Sequence, residues 1–320
     1  VPPPLELYVT PIQIDPANPA LPISVPDDFS QQVADAIGPY YTQGLPEDTQ
    51  GLRYKVLSRD EFLQQAELIF RERRKLLDFA LQRYDSGFLF FYFGSTDQIG
   101  HMFWGALADR HPALTAEESA KYKHVMRDTY IDADEALGAV MKRFPDATLL
   151  CVSDHGFANF ARGFNLNTWL VENGYAVLNP NFPDRSTFAC LDFSKTRAYA
   201  MGINGLYINL KDREKNGIVD PADKQALIDE ISTKLVQAVD PLTGENPVQV
   251  VYQSDRVYHG AALSRGPDMQ IGYALGYRAS WSTALGGVAD ELGEDNVEAW
   301  GGDHCIATDL VPGVIFSNRA

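Results

Sequence analysis

The strongest constraint on the fold is a pair of short, continuous apolar runs separated by a long segment with helical periodicity. The first run, residues 88–93, lies between Gly87 and Gly94, and the second, residues 148–153, follows Pro145. A continuous apolar run bounded by turn residues is typical of a strand that is buried on both faces. Strand, helix and strand in this order predict an α/β fold with a largely parallel sheet.

Two long helices are predicted next to these runs. Apolar residues recur at helical spacing over residues 60–84, which predicts a helix before the first run. A second helix is predicted to begin at Thr115, because Thr115 and Glu118 form the pattern of a capping box. Its buried stripe continues to Val140, so we expect one helix between the two strands.

The sequence after the second apolar run does not continue this alternation of buried strands and long helices. Residues 164–299 contain short predicted strands, many turns and one helix after Pro221, which is typical of an inserted α+β subdomain. We therefore predict a core over residues 1–163, an inserted substrate or cap subdomain over residues 164–299, and a return to the core over residues 300–320.

Composition excludes some classes of partner. Asp and Glu number 43 against 27 Lys and Arg, so the formal net charge is −16. This balance argues against nucleic acid or an anionic membrane as a bulk partner. The most apolar run is far too short to span a bilayer, so no transmembrane segment is predicted. The three cysteines form no CxxC pair, which gives no disulfide framework and no zinc knuckle.

Three polar clusters lie close to glycine, and two of them directly follow the predicted strands. They contain five side chains of the types that bind divalent first-row metals: Asp97, His101, Asp154, His155 and His304. Asp97 and His101 are four residues apart, so a helical turn there would place both on one face. Each cluster alone also fits a turn or a hydrogen-bonded structural histidine. The residues by themselves therefore leave the metal centre and the structural interpretation open.

The order of these clusters resembles a known family. The elements T-D-x-x-G-H, S-D-H-G and G-D-H are similar to the metal-binding elements of the type I phosphodiesterase and nucleotide pyrophosphatase branch of the alkaline phosphatase superfamily. The longer sequence is similar to a group of predicted phosphohydrolases or phosphomutases in that superfamily. This similarity is carried by residues 90–97, 101–104, 164–167, 205–209 and 266–268. The resemblance implies an alkaline-phosphatase-like core sheet with helices on both faces and an inserted α+β subdomain.

The resemblance also implies a metal centre and a phosphate-ester substrate. Asp97, His101 and His304 would bind one divalent ion, and Asp154 and His155 would bind a second. Zinc fits a set of three histidines and two aspartates, and manganese is the alternative.

Three further residues near these clusters have two interpretations each. Arg162 and Asn165 could reach a phosphate, or have structural or surface roles. Asp303 could orient a neighbouring imidazole, or serve as a turn residue.

The nucleophile of this chemistry is not found in the sequence. In the family, the second ion also binds an Asp from the first core strand and a Thr or Ser nucleophile at the start of the next helix. The nearest candidates, Asp15, Asp48 and Thr49, lie among prolines or in loop-like sequence. We therefore expect the nucleophile and the first core strand upstream of this chain. No catalytic residue is predicted within it, and the chain is expected to be a C-terminal portion that is inactive alone.

Three functions remain as alternatives. The first is a phosphodiesterase-type hydrolase, the second a phosphomutase of the same superfamily, and the third a metal-binding scaffold module without catalysis. A missing first strand would also leave an exposed sheet edge that can pair with another copy of the chain. The sequence predicts no cellular location.

Overall fold

The computed structural model describes residues 7–319. The chain divides into two compact units. The first unit comprises residues 1–103, 121–149 and 318–320, and the second comprises residues 104–120 and 150–317. Among the described residues, no helix has the length and apolar character needed to cross a membrane. The predicted boundaries at residues 163 and 299 stay a prediction.

The first unit is helical in its described part. Its helices are α1 (Phe29–Ile37), α2 (Thr49–Arg53), α3 (Arg59–Arg83), α4 (Ser95–Phe103) and α6 (Val125–Arg143). Helix α5 (Ala116–Tyr122) precedes α6 along the chain, and its residues 116–120 belong to the second unit. The predicted helix over residues 60–84 is confirmed as α3. It begins with a capping box in which the Glu61 N–H donates to Ser58 and the Ser58 N–H donates to Glu61.

The predicted second helix is confirmed at its start and corrected in its length. The Thr115 N–H donates to the Glu118 carboxylate, and the Glu118 N–H donates to the Thr115 hydroxyl. The helical segment is divided into α5 and α6, with a turn at residues 123–124. Two helices therefore replace the single one that the apolar stripe predicts.

The first apolar run does not form the predicted buried strand. Residues 88–93 are not part of a sheet among the described residues. Phe88, Phe90 and Tyr92 are exposed. The alternate residues Leu89, Phe91 and Phe93 instead pack against the buried cluster of Leu77, Leu81 and Ala136. The segment is buried on one side only, because α3 and α6 cover that side and no described strand pairs with its backbone.

The second apolar run forms a strand with a different environment from the predicted one. Strand β1 (Leu150–Val152) pairs with a strand near the end of the chain, β10 (Ile315–Ser317), in antiparallel orientation. All six residues of this two-stranded sheet are exposed. The prediction of a strand is confirmed, and the prediction of burial in a parallel sheet is wrong. The physical reason is that, among the described residues, β1 pairs with β10 alone, and the side chains of both strands are exposed.

Two four-stranded sheets form the interior of the second unit. In one, β2 (Ala158–Phe164) is parallel to β7 (Gly276–Ala279) and antiparallel to β8 (Gly293–Asp295) and β9 (Gly302–Asp303). The other has the strand order β3-β4-β6-β5 and is antiparallel. Its strands are β3 (Ala198–Met201), β4 (Gly205–Ile208), β5 (Val248–Gln253) and β6 (Met269–Tyr273).

Four helices accompany these sheets, and both layers contribute to one core. The helices are α7 (Leu166–Glu172), α8 (Lys224–Leu235), α9 (Ser254–Val257) and α10 (Trp281–Ala284). The core includes fully buried side chains such as Phe164, Leu206, Ile231 and Tyr273. The mixed α/β class is therefore confirmed. Its largely parallel character is not, because β2 and β7 are the parallel pair of named strands in the described part of the chain.

Candidate metal centre

Helix α4 places the first Asp and His pair on one face. The helix begins after Gly94, whose carbonyl accepts the N–H groups of Asp97 and Gln98 at 3.1 Å each. One turn later, Nε2 of His101 lies 3.6 Å from Oδ1 of Asp97. The His101 side chain is 5% exposed and the Asp97 side chain is 20% exposed. The predicted helical spacing of this pair is confirmed, and the pair combines a carboxylate with an imidazole in a largely buried position.

A buried carboxylate that the sequence did not single out lies beside this helix. Glu47 is 4% exposed, and its Oε1 accepts a hydrogen bond of 2.6 Å from the Ser95 hydroxyl. Its Oε2 has no hydrogen-bond partner among the described residues. Burial raises the pKa of Glu47, although the Ser95 hydrogen bond and the charge of Arg73 act in the opposite direction. Glu47 follows Pro46 in an irregular loop, so neither periodicity nor a motif connects it with Asp97.

The second Asp and His pair lies in the loop that follows β1. Nε2 of His155 is 3.7 Å from Oδ1 of Asp154, a separation close to that of the first pair. Burial differs, because the Asp154 side chain is 90% exposed and that of His155 is 24% exposed. Nδ1 of His155 lies 3.0 Å from the Gly156 carbonyl, which can only accept a hydrogen bond. That contact favours the tautomer with its lone pair on Nε2, the nitrogen that faces Asp154.

A close backbone approach fixes this loop. The N–H of Gly156 donates to the Val311 carbonyl, and the Ser153 N–H donates to the Val314 carbonyl. A Cβ added at Gly313 would lie 2.2 Å from the Ser153 carbonyl oxygen. Glycine is therefore required at position 313 for the chain ends of β1 and β10 to meet as they do.

His304 lies directly after β9, beside the other predicted histidine of the second unit. Its ring stacks on that of His155 with centroids 3.5 Å apart and an angle of 12° between the planes. The edge of Phe157 contacts it with a centroid distance of 5.4 Å. Two positively charged rings would repel each other at this distance, so the stacking suits neutral imidazoles, the form that binds metal. The structure thus brings together two histidines that the resemblance assigns to different ions.

Cys305 places a third donor atom close to His304. Donor atoms of Asp303, His304 and Cys305 lie within 4.8 Å of one another, and Sγ of Cys305 is 3.9 Å from Nδ1 of His304. Asp303 fits a ligand role poorly, because both of its oxygens already accept hydrogen bonds or an ion pair from neighbouring groups. The imidazole of His304 remains the group of this cluster that best fits a metal.

The two predicted substrate-binding residues have internal contacts. The Arg162 guanidinium is buried and bonds both oxygens of Asp240 and one oxygen of Asp295. Asn165 is 1% exposed, and its amide donates to the Glu291 carbonyl at 2.8 Å. These contacts agree with the structural interpretation of both residues. Their role in binding substrate stays a prediction that no contact supports.

The donor types fit a divalent metal ion. Imidazole nitrogens and carboxylate oxygens are usual protein ligands of such ions. The chain has two Asp and His pairs and a third histidine in a mixed α/β fold. It therefore falls in the class of α/β proteins that carry the ligand types of a hydrolytic metal centre.

Comparison with known families makes this class specific. A family model described as type I phosphodiesterase / nucleotide pyrophosphatase matches residues 14–283. The chain belongs to that family, which confirms the resemblance and places the chain among proteins that act on phosphate esters. No curated protein gives a significant match to the chain.

Proposed function

We propose that this chain carries the metal ligands of a metal-dependent phosphoric-ester hydrolase of the phosphodiesterase type. Membership in the family supports the reaction class. The observation that carries the metal dependence is the pair of Asp97 and His101 on one face of α4, 3.6 Å apart and largely buried. Burying a carboxylate beside an imidazole is costly unless a cation or a proton is shared between them.

Five side chains are proposed as ligands. Asp97 and His101 bind one ion, and the resemblance adds His304 to them. Asp154 and His155 bind the second. Such ions, when bound, supply the Lewis acidity that activates an attacking oxygen and neutralises charge on a phosphoryl group. Zinc is proposed before manganese, because three of the five ligands are imidazoles.

We also propose that this 320-residue chain has little turnover by itself. The nearest candidates for an Asp and Thr nucleophile site, Asp48 and Thr49, lie at the start of α2. Oδ1 of Asp48 accepts the Gly51 N–H, and its Oδ2 accepts the Tyr8 hydroxyl. Asp48 is therefore a helix cap with both oxygens in use, which supports the prediction that the hydroxyl nucleophile is not supplied by this pair.

Metal content of the purified chain tests the proposal. We expect about one tightly held equivalent of zinc or manganese after dialysis, lost in His101→Ala and His304→Ala. The matched control is His124→Ala. His124 also has an Asp four residues away, with Nε2 3.8 Å from Oδ2 of Asp128, but the side chains are 55% and 46% exposed. This variant should retain the metal. A folded wild-type chain without bound metal would overturn the proposal.

Turnover completes the test. The metal-loaded chain is incubated with bis(4-nitrophenyl) phosphate, with and without an alcohol acceptor. We expect no release of 4-nitrophenol above the His101→Ala background. Metal-dependent hydrolysis would contradict the predicted inactivity and confirm the reaction class, whereas transfer only to the acceptor would favour the phosphomutase alternative.

A further inference from the structure

The loop that carries His304 is held by one buried carboxylate. Asp303 is 2% exposed. Its Oδ1 accepts the backbone N–H groups of His304 and Cys305, each at 2.8 Å. Its Oδ2 accepts the indole N–H of Trp300 at 2.9 Å and lies 2.7 Å from Nε of Arg278. The Asp303 carboxylate therefore holds the backbones of His304 and Cys305 in one turn and ties this turn to Trp300 and Arg278.

Arg278 is anchored in the sheet that faces this turn. It lies in β7, where it is opposite Gly163 of β2, and its side chain is 3% exposed. Its guanidinium lies over the rings of Phe160 and Trp281, at 4.9 Å and 4.5 Å from their centroids. Nη1 donates to the Ala279 carbonyl at 3.2 Å. The cation is thus held by aromatic faces and by the sheet backbone before it meets Asp303.

An ion pair as deeply buried as Arg278 and Asp303 contributes little net stability to the fold. Removing two charges from water costs several kcal/mol for each ion, and well-packed apolar residues are often as stable. The best-supported use of such a pair is to select one geometry. Here the selected geometry is that of the His304 backbone, while the His304 ring is held from its other side by His155 and Phe157.

We propose that Arg278 and Asp303 are positioning residues that fix the His304 imidazole in the orientation needed to bind metal. This inference rests on the proposed role of His304 as a ligand. It resolves the two interpretations of Asp303 that the sequence left open, since Asp303 is both the turn residue and the residue that orients the histidine, through the backbone rather than through the ring. It adds Arg278, which no motif contains.

The test compares two arginines of the same unit that each pair with a buried aspartate, Asp303 for Arg278 and Asp268 for Arg213. Arg278→Met removes the charge and keeps the length, and Arg278→Lys keeps a charge if the first variant does not fold. The control is Arg213→Met. Arg213 bonds both oxygens of the buried Asp268 and has no described contact with the His304 turn. Both variants lose a buried ion pair, so loss of stability alone should affect them similarly.

Metal affinity is the first measurement, by competition with a chelator and by the visible spectrum of the cobalt-loaded chain. Loss of a residue that orients a metal ligand typically weakens affinity by about 10- to 100-fold. We expect a loss in this range and an altered cobalt spectrum for Arg278→Met, and less than about a twofold change for Arg213→Met. Unchanged affinity in Arg278→Met, or an equal loss in the control, would overturn the inference.

The second measurement needs no metal. Cys305 donates its backbone N–H to Asp303, so its thiol reports on the order of the turn. The exposed Cys151 is first replaced by Ser, which leaves the buried Cys190 and the partly buried Cys305. We expect thiol labelling to be at least about tenfold faster in Arg278→Met than in the parent, with no change in Arg213→Met. If the wild-type chain binds no metal, the proposed ligand role fails; equal labelling rates would show separately that Arg278 does not hold the turn.

Discussion

Strands β1 and β2 follow each other in the second unit, but they differ in every aspect of their surroundings. The residues of β1, Leu150–Val152, are strongly apolar, yet all three are exposed beside one neighbouring strand. Strand β2 contains Asn159 and Arg162, yet it is largely buried and pairs with three strands. An apolar run therefore indicates which residues suit burial, whereas the neighbouring strands decide which residues are buried.

The two strands also lead to different parts of the candidate centre. β1 leads to Asp154 and His155 on an exposed loop. β2 pairs with β9, which carries Asp303 and leads to His304 in a turn held by Asp303. We infer that the proposed ligand His304, which the buried sheet supports, is held more rigidly than the proposed ligands Asp154 and His155, which the exposed sheet supports.

The largest expected effect is on stability. Phe164→Ala in β2 removes a fully buried ring from the core of the second unit and should lower the free energy of unfolding by about 4 kcal/mol. Phe316→Ala in β10 removes a ring that is 63% exposed and should change it by less than about 0.5 kcal/mol. Urea denaturation measures both. Similar losses in the two variants would show that the β1 and β10 sheet is buried in solution, which contradicts the comparison.

The next effect concerns metal binding. His304→Ala should weaken zinc affinity at least about 100-fold, because a ligand contributes at least as much as the groups that orient it. Asp154→Ala should weaken affinity by only about tenfold, because a carboxylate that is 90% exposed stays hydrated and mobile when metal-free. Asp290→Ala, at a side chain 89% exposed, is the control and should have no effect. Isothermal titration calorimetry measures the zinc affinity of each variant. A larger loss of affinity in Asp154→Ala than in His304→Ala would contradict our inference that the buried sheet holds its ligand more rigidly than the exposed sheet does.

The third effect concerns the buried ion pair of Asp268 and Arg213, next to a strand of the buried sheets. Asp268 precedes β6 and accepts hydrogen bonds from Arg213 and the Ile208 N–H, and Lys224 lies 2.7 Å from it. Burial acts to raise the pKa of Asp268, but the bonds from Arg213, Lys224 and Ile208 outweigh it and lower the pKa. Asp268→Asn should therefore destabilise the chain by about 2 kcal/mol at neutral pH.

The pH dependence of this effect has a defined sign. A lowered pKa in the folded state stabilises the protein above the unfolded pKa, and this contribution disappears as the pH falls through the folded pKa. The difference in melting temperature between wild type and Asp268→Asn should accordingly shrink in acid. A difference that stays constant from neutral pH to strong acid would contradict the ion pair.

The smallest expected effect concerns the exposed sheet itself. We predict weak self-association through the edge of β1, because an exposed apolar strand invites pairing with another copy. Leu150→Lys should weaken the association about tenfold without changing stability, since a buried leucine contributes about 1.5–3 kcal/mol to a contact. Leu242→Lys is the control, at an exposed leucine outside the strands. Sedimentation equilibrium measures both, and equal weakening in the two variants would exclude β1 as the contact.

The sequence by itself determined the features that depend on neighbours along the chain. The capping pattern at Thr115 marks a real helix start, and the four-residue spacing of Asp97 and His101 places both on one face of α4. Helix caps and helical spacing are local, so they can be found without knowledge of the fold. The order of the metal-type motifs was sufficient to indicate the family.

Only the tertiary structure decided the features that depend on distant residues. Glu47 meets Ser95 from 48 positions away, and Arg278 reaches Asp303 from a strand that no motif includes. The exposure of β1 likewise depends on distant residues, since β10 is its one partner strand in the part of the chain that the structure describes. A side chain's environment is the sum of contacts from several elements, and sequence patterns report only the contacts that one element makes with itself.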